Sequence, residues 1–203
     1  MISELVIATR NLGKAREIAA LLAEEGLHLK TLTLHDFPAL SLPEEGADSF
    51  AANARAKALA CWQATGKPSL GEDSGLEVEA LGGKPGVFSS RFAGPEATQA
   101  ELCEKVLRLL ARTPEERRRA RFRSICALAL GGDGIEVFEG ECPGRIGREM
   151  RGQGGFGYDP IFLPDGETRT MAELSLAEKN RLSHRGKAVR ALALSLRKSL
   201  GLR

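Results

Sequence analysis

The chain predicts an α/β fold, a mixed β-sheet flanked by helices. Short, wholly apolar runs alternate with stretches whose apolar residues recur every three or four positions, the rhythm of strands feeding helices. A glycine-rich turn at Gly131-Gly132-Asp133-Gly134 joins two strand-like stretches into a hairpin, which a purely parallel, doubly wound sheet would not contain. With 203 residues the chain suits a single domain over 1–203. A folded chain of this size buries about 70% of its unfolded surface and needs no staple.

Each element has its own signal. Leu5-Val6-Ile7-Ala8 is a buried strand that enters a turn at Thr9-Arg10-Asn11-Leu12-Gly13-Lys14. Ala15, Ile18, Ala19 and Leu22 share one face of a helix, and Gly26 stops it. A second strand lies in Leu27 to Leu34, and Pro38 and Pro43 bracket a loop. Asp48 or Ser49 caps a helix from Phe50 to Ala64 that ends at Gly66. Asp73-Ser74-Gly75 reads as a turn at the end of a short strand. After it, Leu76, Val78 and Ala80 alternate with Glu77 and Glu79 to give a strand with one wet face. Gly82-Gly83-Lys84-Pro85-Gly86 makes a turn, and Leu102, Val106, Leu109 and Leu110 form a helical stripe that stops near Thr113-Pro114. Even positions from Ala120 to Leu130 are one apolar strand face, and Ile135 to Phe138 return beside it. A glycine-rich loop is expected from Gly140 to Gly157, then a short strand Ile161-Phe162-Leu163. Ser175 and Glu178 have capping-box spacing, and a final helix carries Val189, Leu192 and Leu196.

Composition excludes several classes. Lys and Arg number 29 against 27 Asp and Glu, a net charge of +2, which argues against an acidic tail protein and against a chain held to nucleic acid by bulk charge. A hydrophobic fraction of 42% excludes disorder. The run Arg117-Arg118-Arg119, with Arg121 and Arg123, has only Phe122 interleaved, so no nucleic-acid partner is expected. Cys61, Cys103, Cys126 and Cys142 have no CxxC spacing and read as four reduced thiols. The start Met1-Ile2-Ser3-Glu4 lacks a basic, apolar leader, and no run approaches a membrane span, so a cytoplasmic protein without a membrane partner is expected.

The residues able to do chemistry are acids, lysines and glycine loops. Thr9-x-Asn11-x-x-Lys14 falls where a strand meets a helix N-terminus, a place that favours phosphate; an ordinary turn with a surface lysine is the other reading. Glu44-Glu45 and Glu72-Asp73 are two carboxylate pairs near chain turns, enough to hold Mg²⁺ and supply a general base, or else solvated loop acids. Asn53 and Lys57 lie one helical turn apart and can address one ligand, or simply form a polar helix face. Gly152-x-Gly154-x-x-Gly157 has the letters of a dinucleotide fingerprint but runs into Tyr158-Asp159-Pro160, which cannot open a helix there. It reads better as a loop that brings backbone to a flat ligand, with Phe156 for stacking. His184 and Arg185 follow Ser183 at a helix start, near Lys179 and Arg181, where positive charge is unusual unless an anion or an acceptor-rich ligand is near. No P-loop, no GxSxG elbow and no paired histidines occur. The parts suit a magnesium-nucleotide pocket.

In order along the chain, these residues resemble the inosine triphosphate pyrophosphatases, from Leu5 to about Leu192. The likeness rests on Thr9-x-Asn11-x-x-Lys14, Glu44-Glu45, Phe50-x-x-Asn53-Ala54-x-x-Lys57-Ala58, Glu72-Asp73-Ser74-Gly75-Leu76 and Leu81-Gly82-Gly83-x-Pro85-Gly86. It continues through Gly155-Phe156-Gly157-Tyr158-Asp159-Pro160, Glu178-Lys179-Asn180 and Ser183-His184-Arg185. The chain departs from the pattern at Arg10, where glycine is common, and at Glu45-Gly46-Ala47, where the glycine comes one residue early.

The resemblance implies an elongated mixed sheet with two lobes and a central active-site cleft, usually as a homodimer. It implies Mg²⁺-dependent hydrolysis of ITP, dITP and XTP between the α and β phosphates, giving a monophosphate and pyrophosphate and cleansing the nucleotide pool. By matching position Asp73 is the general base and a metal partner, and Glu44 or Glu45 is the other metal carboxylate. Asn11, Lys14, Lys57 and Lys179 contact phosphates, with Thr9, Arg10, Leu12, Gly13, Asn53 and Ser74 also in the substrate site. Phe156, Asp159, His184 and Arg185 read the base, beside Gly157 and Tyr158. Two other readings stay open: a pyrophosphatase for modified pyrimidine nucleotides, and a nonenzymatic nucleotide or RNA binder.

Overall fold

A computed structural model describes residues 2–46, 48–131 and 134–199. Its strands are β1 (Glu4–Ile7), β2 (Lys30–Thr33), β3 (Ser69–Val78), β4 (Arg119–Ala129), β5 (Ile135–Ile146) and β6 (Phe162–Pro164), hydrogen-bonded in the order β2-β1-β3-β4-β5-β6. β1 runs parallel to β2 and β3, in register Val6 to Leu32 and Val6 to Ser69, whereas β5 and β6 are antiparallel. The sheet is therefore mixed, as the hairpin signal predicts. The helices are α1 (Leu12–Glu24), α2 (Phe50–Thr65), α3 (Gln99–Leu109), α4 (Leu176–Leu182) and α5 (His184–Ser199). Among the described residues no helix is long and apolar enough to cross a membrane.

Two compact units divide the chain, the first made of Met1–Asp73, Ser124–Gly140 and Arg185–Arg203, the second of Ser74–Arg123 and Glu141–His184. In the first, the Leu5-Val6-Ile7 run of β1 is apolar because both its faces are covered. Leu5 and Ile7 pack with Ile18, Leu21 and Leu22 of α1 and Val189, Leu192 and Leu196 of α5, while Val6 and Ala8 join Leu34 and Cys61. Asn11 caps α1 by accepting from the Lys14 amide at 3.0 Å; Ser49 caps α2 from the Ala52 amide at 3.1 Å, and Gly66 ends α2 at φ +64. In the second unit Leu102, Cys103 and Val106 of α3 pack with Leu76, Phe122, Ile146 and Phe162. Buried Arg118 ties this unit together by donating to the carbonyls of Leu110 (2.7 Å), Ile146 (2.9 Å) and Gly147 (2.5 Å). All four cysteines are free thiols and buried, Cys61 and Cys126 in the first unit, Cys103 and Cys142 in the second.

Several expectations need correction. Asp73-Ser74-Gly75 is no turn: β3 runs straight through it, and Glu79–Leu81 is a 3₁₀ turn rather than strand. Gly71, on the same strand, is there for close approach, since a Cβ on it would lie 2.1 Å from the Ala54 carbonyl of α2. Likewise β5 continues through Gly140 to Ile146, so the glycine-rich loop starts after it; a Cβ on Gly144 would meet the Leu163 carbonyl at 2.3 Å. β2 is shorter than Leu27 to Leu34, and Ile161 closes a 3₁₀ turn before β6. The final helix carries Val189, Leu192 and Leu196 as expected, and Ser175 with Glu178 forms the capping box. Of the turn at 131–134, Gly132 and Asp133 lie outside the described residues, as does Ala47 of the acidic loop.

Candidate active site

In the first unit the charged residues meet inside the fold. Glu72 and Asp73 stand on the central strand β3, and Lys57 approaches from α2, one helical turn after Asn53. The Lys57 ammonium lies 3.5 Å from Asp73 Oδ1, bonds Glu45 Oε1, and donates to the Glu72 carbonyl at 3.1 Å. Two carboxylates from distant parts of the sequence thus converge on one cation. Burial is the largest effect on Asp73 and pushes its carboxyl above the ordinary carboxylate value, against the pull of Lys57 and Asn53. Burial would lower the Lys57 ammonium, but Asp73 and Glu45 more than offset it and hold it above its ordinary value, so it stays charged. Beside this group is a cavity of about 420 Å³ lined by Thr9, Arg10, Ser41, Pro43, Glu45 and Lys57, among others.

Asn53, itself buried, has all three hydrogen-bonding positions of its amide engaged. Its Oδ1 accepts from the Gly46 amide at 2.9 Å, and its Nδ2 donates to the Gly46 carbonyl at 3.2 Å and to Asp73 Oδ2 at 2.8 Å. Glu45 is therefore the acid of its pair that reaches the group, while Glu44 is exposed.

Glu72 points away from this centre into a second one. Its Oε2 accepts from Lys14 Nζ at 2.8 Å, and its Oε1 accepts from Ser124 Oγ at 2.9 Å and Arg185 Nε at 3.2 Å. Arg185, only 1% exposed, also pairs with Glu17 at 2.5 Å. Lys14 itself stands in the first turn of α1, which carries no acid, so the helix N-terminus and the ammonium add as positive potential. Thr9 accepts from the Asn11 amide at 3.1 Å, fixing the entrance to that helix, and Leu12 and Gly13 are exposed on it. Arg10 reaches the Leu40 carbonyl at 3.0 Å.

The second unit holds the aromatic residues. Asp159 Oδ2 accepts from the Phe156 amide at 2.9 Å and from Lys179 Nζ at 2.8 Å, and that ammonium lies 4.6 Å from the centre of the Phe156 ring. Gly155 is obligatory: its φ is +70, and a Cβ there would sit 2.1 Å from Asp159 Oδ2. Gly157 also has positive φ. Tyr158 is buried, with its hydroxyl donating to the Ser89 carbonyl at 2.7 Å, and burial pushes its acidity down. His184 stacks on Phe122 with ring centres 4.7 Å apart. Ser74 is half-buried on β3.

The structure thus brings together Glu45, Asn53, Lys57 and Asp73 in one group, Lys14, Glu72 and Arg185 in another, and Phe156, Asp159 and Lys179 in a third. Sequence reasoning missed Glu17 and Ser124 and gave Glu72 no role. Glu17 did leave a signal, an acid inside the apolar stripe of α1, where an unpaired charge would be costly.

Buried carboxylates paired with ammonium groups beside a cavity of mixed polar and apolar lining, on an α/β sheet, are the features of a small-molecule enzyme site. The chain belongs to the Ham1 family, whose profile matches residues 5–194. It is 46% identical over 187 residues to the dITP/XTP pyrophosphatase of Desulforamulus reducens, covering 92% of each chain. It is 47% identical over 189 residues to the dITP/XTP pyrophosphatase of Geobacillus kaustophilus, covering 93% of this chain and 92% of that one. Among solved structures it resembles a HAM1 protein from Coxiella burnetii, with a TM-score of 0.87, 40% identity and coverage of 98% of this chain and 100% of that one. The family resemblance read from the sequence is borne out, and over nearly the same span.

Proposed function

We propose that this protein is a nucleoside-triphosphate pyrophosphatase that hydrolyses ITP, dITP and XTP to the monophosphate and pyrophosphate with Mg²⁺, and so clears nonstandard purines from the nucleotide pool. The observation that carries the reading is the convergence of Asp73 and Glu45 on Lys57 beside a cavity that Thr9, Arg10 and Ser41 also line. Its support from kin is that the relatives named above are dITP/XTP pyrophosphatases.

The acids fit a metal of this kind. They already hold one cation between them, and Mg²⁺ is commonly bound by one or two carboxylates with phosphate oxygens and water completing its shell. Asp73 and Glu45 would hold the ion, and when bound it neutralises charge on the phosphates. Asp73 accepts the proton of the attacking water as general base. Lys57 and Lys14, with the α1 N-terminus, hold phosphate oxygens. Phe156 stacks on the base, and His184 and Arg185 donate toward its 6-oxygen, an acceptor that adenine lacks. The four buried thiols fit a cytoplasmic setting, and the family resemblance supports a homodimer.

Pyrophosphate release from ITP, dITP, XTP, GTP and ATP, with Mg²⁺ and with chelator, tests the reading. It requires Mg²⁺-dependent release from ITP and XTP and little from ATP; equal turnover of ATP and ITP, or none of either, overturns it.

A further inference from the structure

Asn53 shares a helix face with Lys57, yet its side chain is 5% exposed and its amide is engaged within the protein. We infer that Asn53 is a positioning residue that builds the cation site by tying the Glu45-Gly46 segment to Asp73. This rests on the reading of Asp73 and Glu45 as metal carboxylates.

The geometry is specific to an amide. Residue 46 is met by an acceptor for its N–H and a donor for its carbonyl, as a neighbouring strand would meet it, and the remaining donor of the same planar group goes to Asp73 Oδ2. A carboxylate lacks the donors, a hydroxyl has one proton, and glutamine is a methylene too long. Asn53 is anchored on α2, the helix that also supplies Lys57, and Ser49 fixes the start of that helix. One rigid helix therefore sets the torsion of Asp73 and the position of the residue next to Glu45. Glu45 stands on a loop between Pro43 and the helix start, and two residues of α2 link it to Asp73: Lys57 directly, and Asn53 by way of Gly46. Groups that orient metal ligands typically change metal affinity or activity by about 10–100-fold when removed.

The test compares the wild-type chain with Asn53→Ala and Asn53→Ser by Mn²⁺ binding, read from the electron paramagnetic resonance of the free ion without nucleotide, and by kcat and KM for ITP. The melting temperature of each variant is measured alongside. We expect Mn²⁺ affinity to fall by about 10–100-fold and kcat to fall with it, while KM for ITP changes little. Serine keeps a polar group at this buried position and serves should alanine leave the chain unfolded. Variants that melt lower but bind Mn²⁺ like the wild type give Asn53 a role in stability alone and overturn the inference. So does a wild-type chain that hydrolyses ITP with Mg²⁺ yet binds Mn²⁺ no better than the variants; the functional reading then stands by itself. A wild-type chain that neither binds Mn²⁺ nor releases pyrophosphate removes both.

Discussion

The first unit and the second each bury charge, but in different ways. In the first, Lys57 touches two carboxylates and a carbonyl, and Glu72 receives Lys14, Ser124 and Arg185, so every ion is shared. In the second, a single ion pair, Lys179 with Asp159, lies under an aromatic ring, and a histidine stacks on a phenylalanine. A buried pair of good geometry stays tolerable only if its remaining donors and acceptors are used, and both arrangements satisfy that condition. What differs is the ligand each suits. On the function proposed above, the shared network would redistribute charge when a phosphate arrives, and the Phe156 ring over the Lys179–Asp159 pair would offer a rigid surface to a base.

The contrast can be broken most forcefully at Asp73. Asp73→Asn keeps the size and loses the base, and kcat for ITP should fall by about 10²–10⁴-fold in a chain that still melts cooperatively, measured by pyrophosphate release. Next come Lys57→Ala and Phe156→Ala, which should separate the two units by calorimetry. The lysine variant should weaken triphosphate binding by about 1.5–3 kcal/mol and leave inosine binding unchanged. The phenylalanine variant should weaken both ligands alike, by about 1–3 kcal/mol. Equal losses for both ligands in both variants would erase the distinction. Gly155→Ala sharpens it further: a Cβ pressed on Asp159 at positive φ should cost about 1–3 kcal/mol of stability, measured in urea.

The smallest effect concerns acid. The Glu178 carboxyl is held at about 2, below its ordinary 4.5, by the Ser175 hydroxyl and amide and by Arg169. A depressed carboxylate contributes stability above its unfolded value and loses it as pH falls toward the folded one. Melting of the wild type should therefore drop more steeply between pH 4.5 and 2 than melting of Glu178→Gln.

Much of the fold was legible because caps and periodicity are local. Ser49, Ser175 with Glu178, Gly66 and the stripe of α1 all do what their spacing foretells. One misreading has a plain cause. Gly144 reads as loop along the chain, but it sits in β5 where another backbone passes within reach, a fact about residue 163 rather than about its neighbours. The same holds for chemistry. That Asp73, Lys57 and an acid near 45 belong together was readable from residue type, whereas the role of Glu72 depends on partners at 14, 124 and 185 that no local pattern links. That Glu45 rather than Glu44 meets Lys57 is a matter of side-chain reach, which residue type does not show.

The four sealed thiols have a use beyond packing. Burial raises Cys61, Cys103 and Cys126 above the ordinary thiol value, so in the folded chain they stay protonated and unreactive at neutral pH. An alkylating reagent therefore waits for the protein to open. With Cys61 and Cys126 on one side of the division and Cys103 and Cys142 on the other, the chain carries two built-in clocks per unit. The order in which their masses change under a slow reagent tells which unit breathes first, without adding a single label.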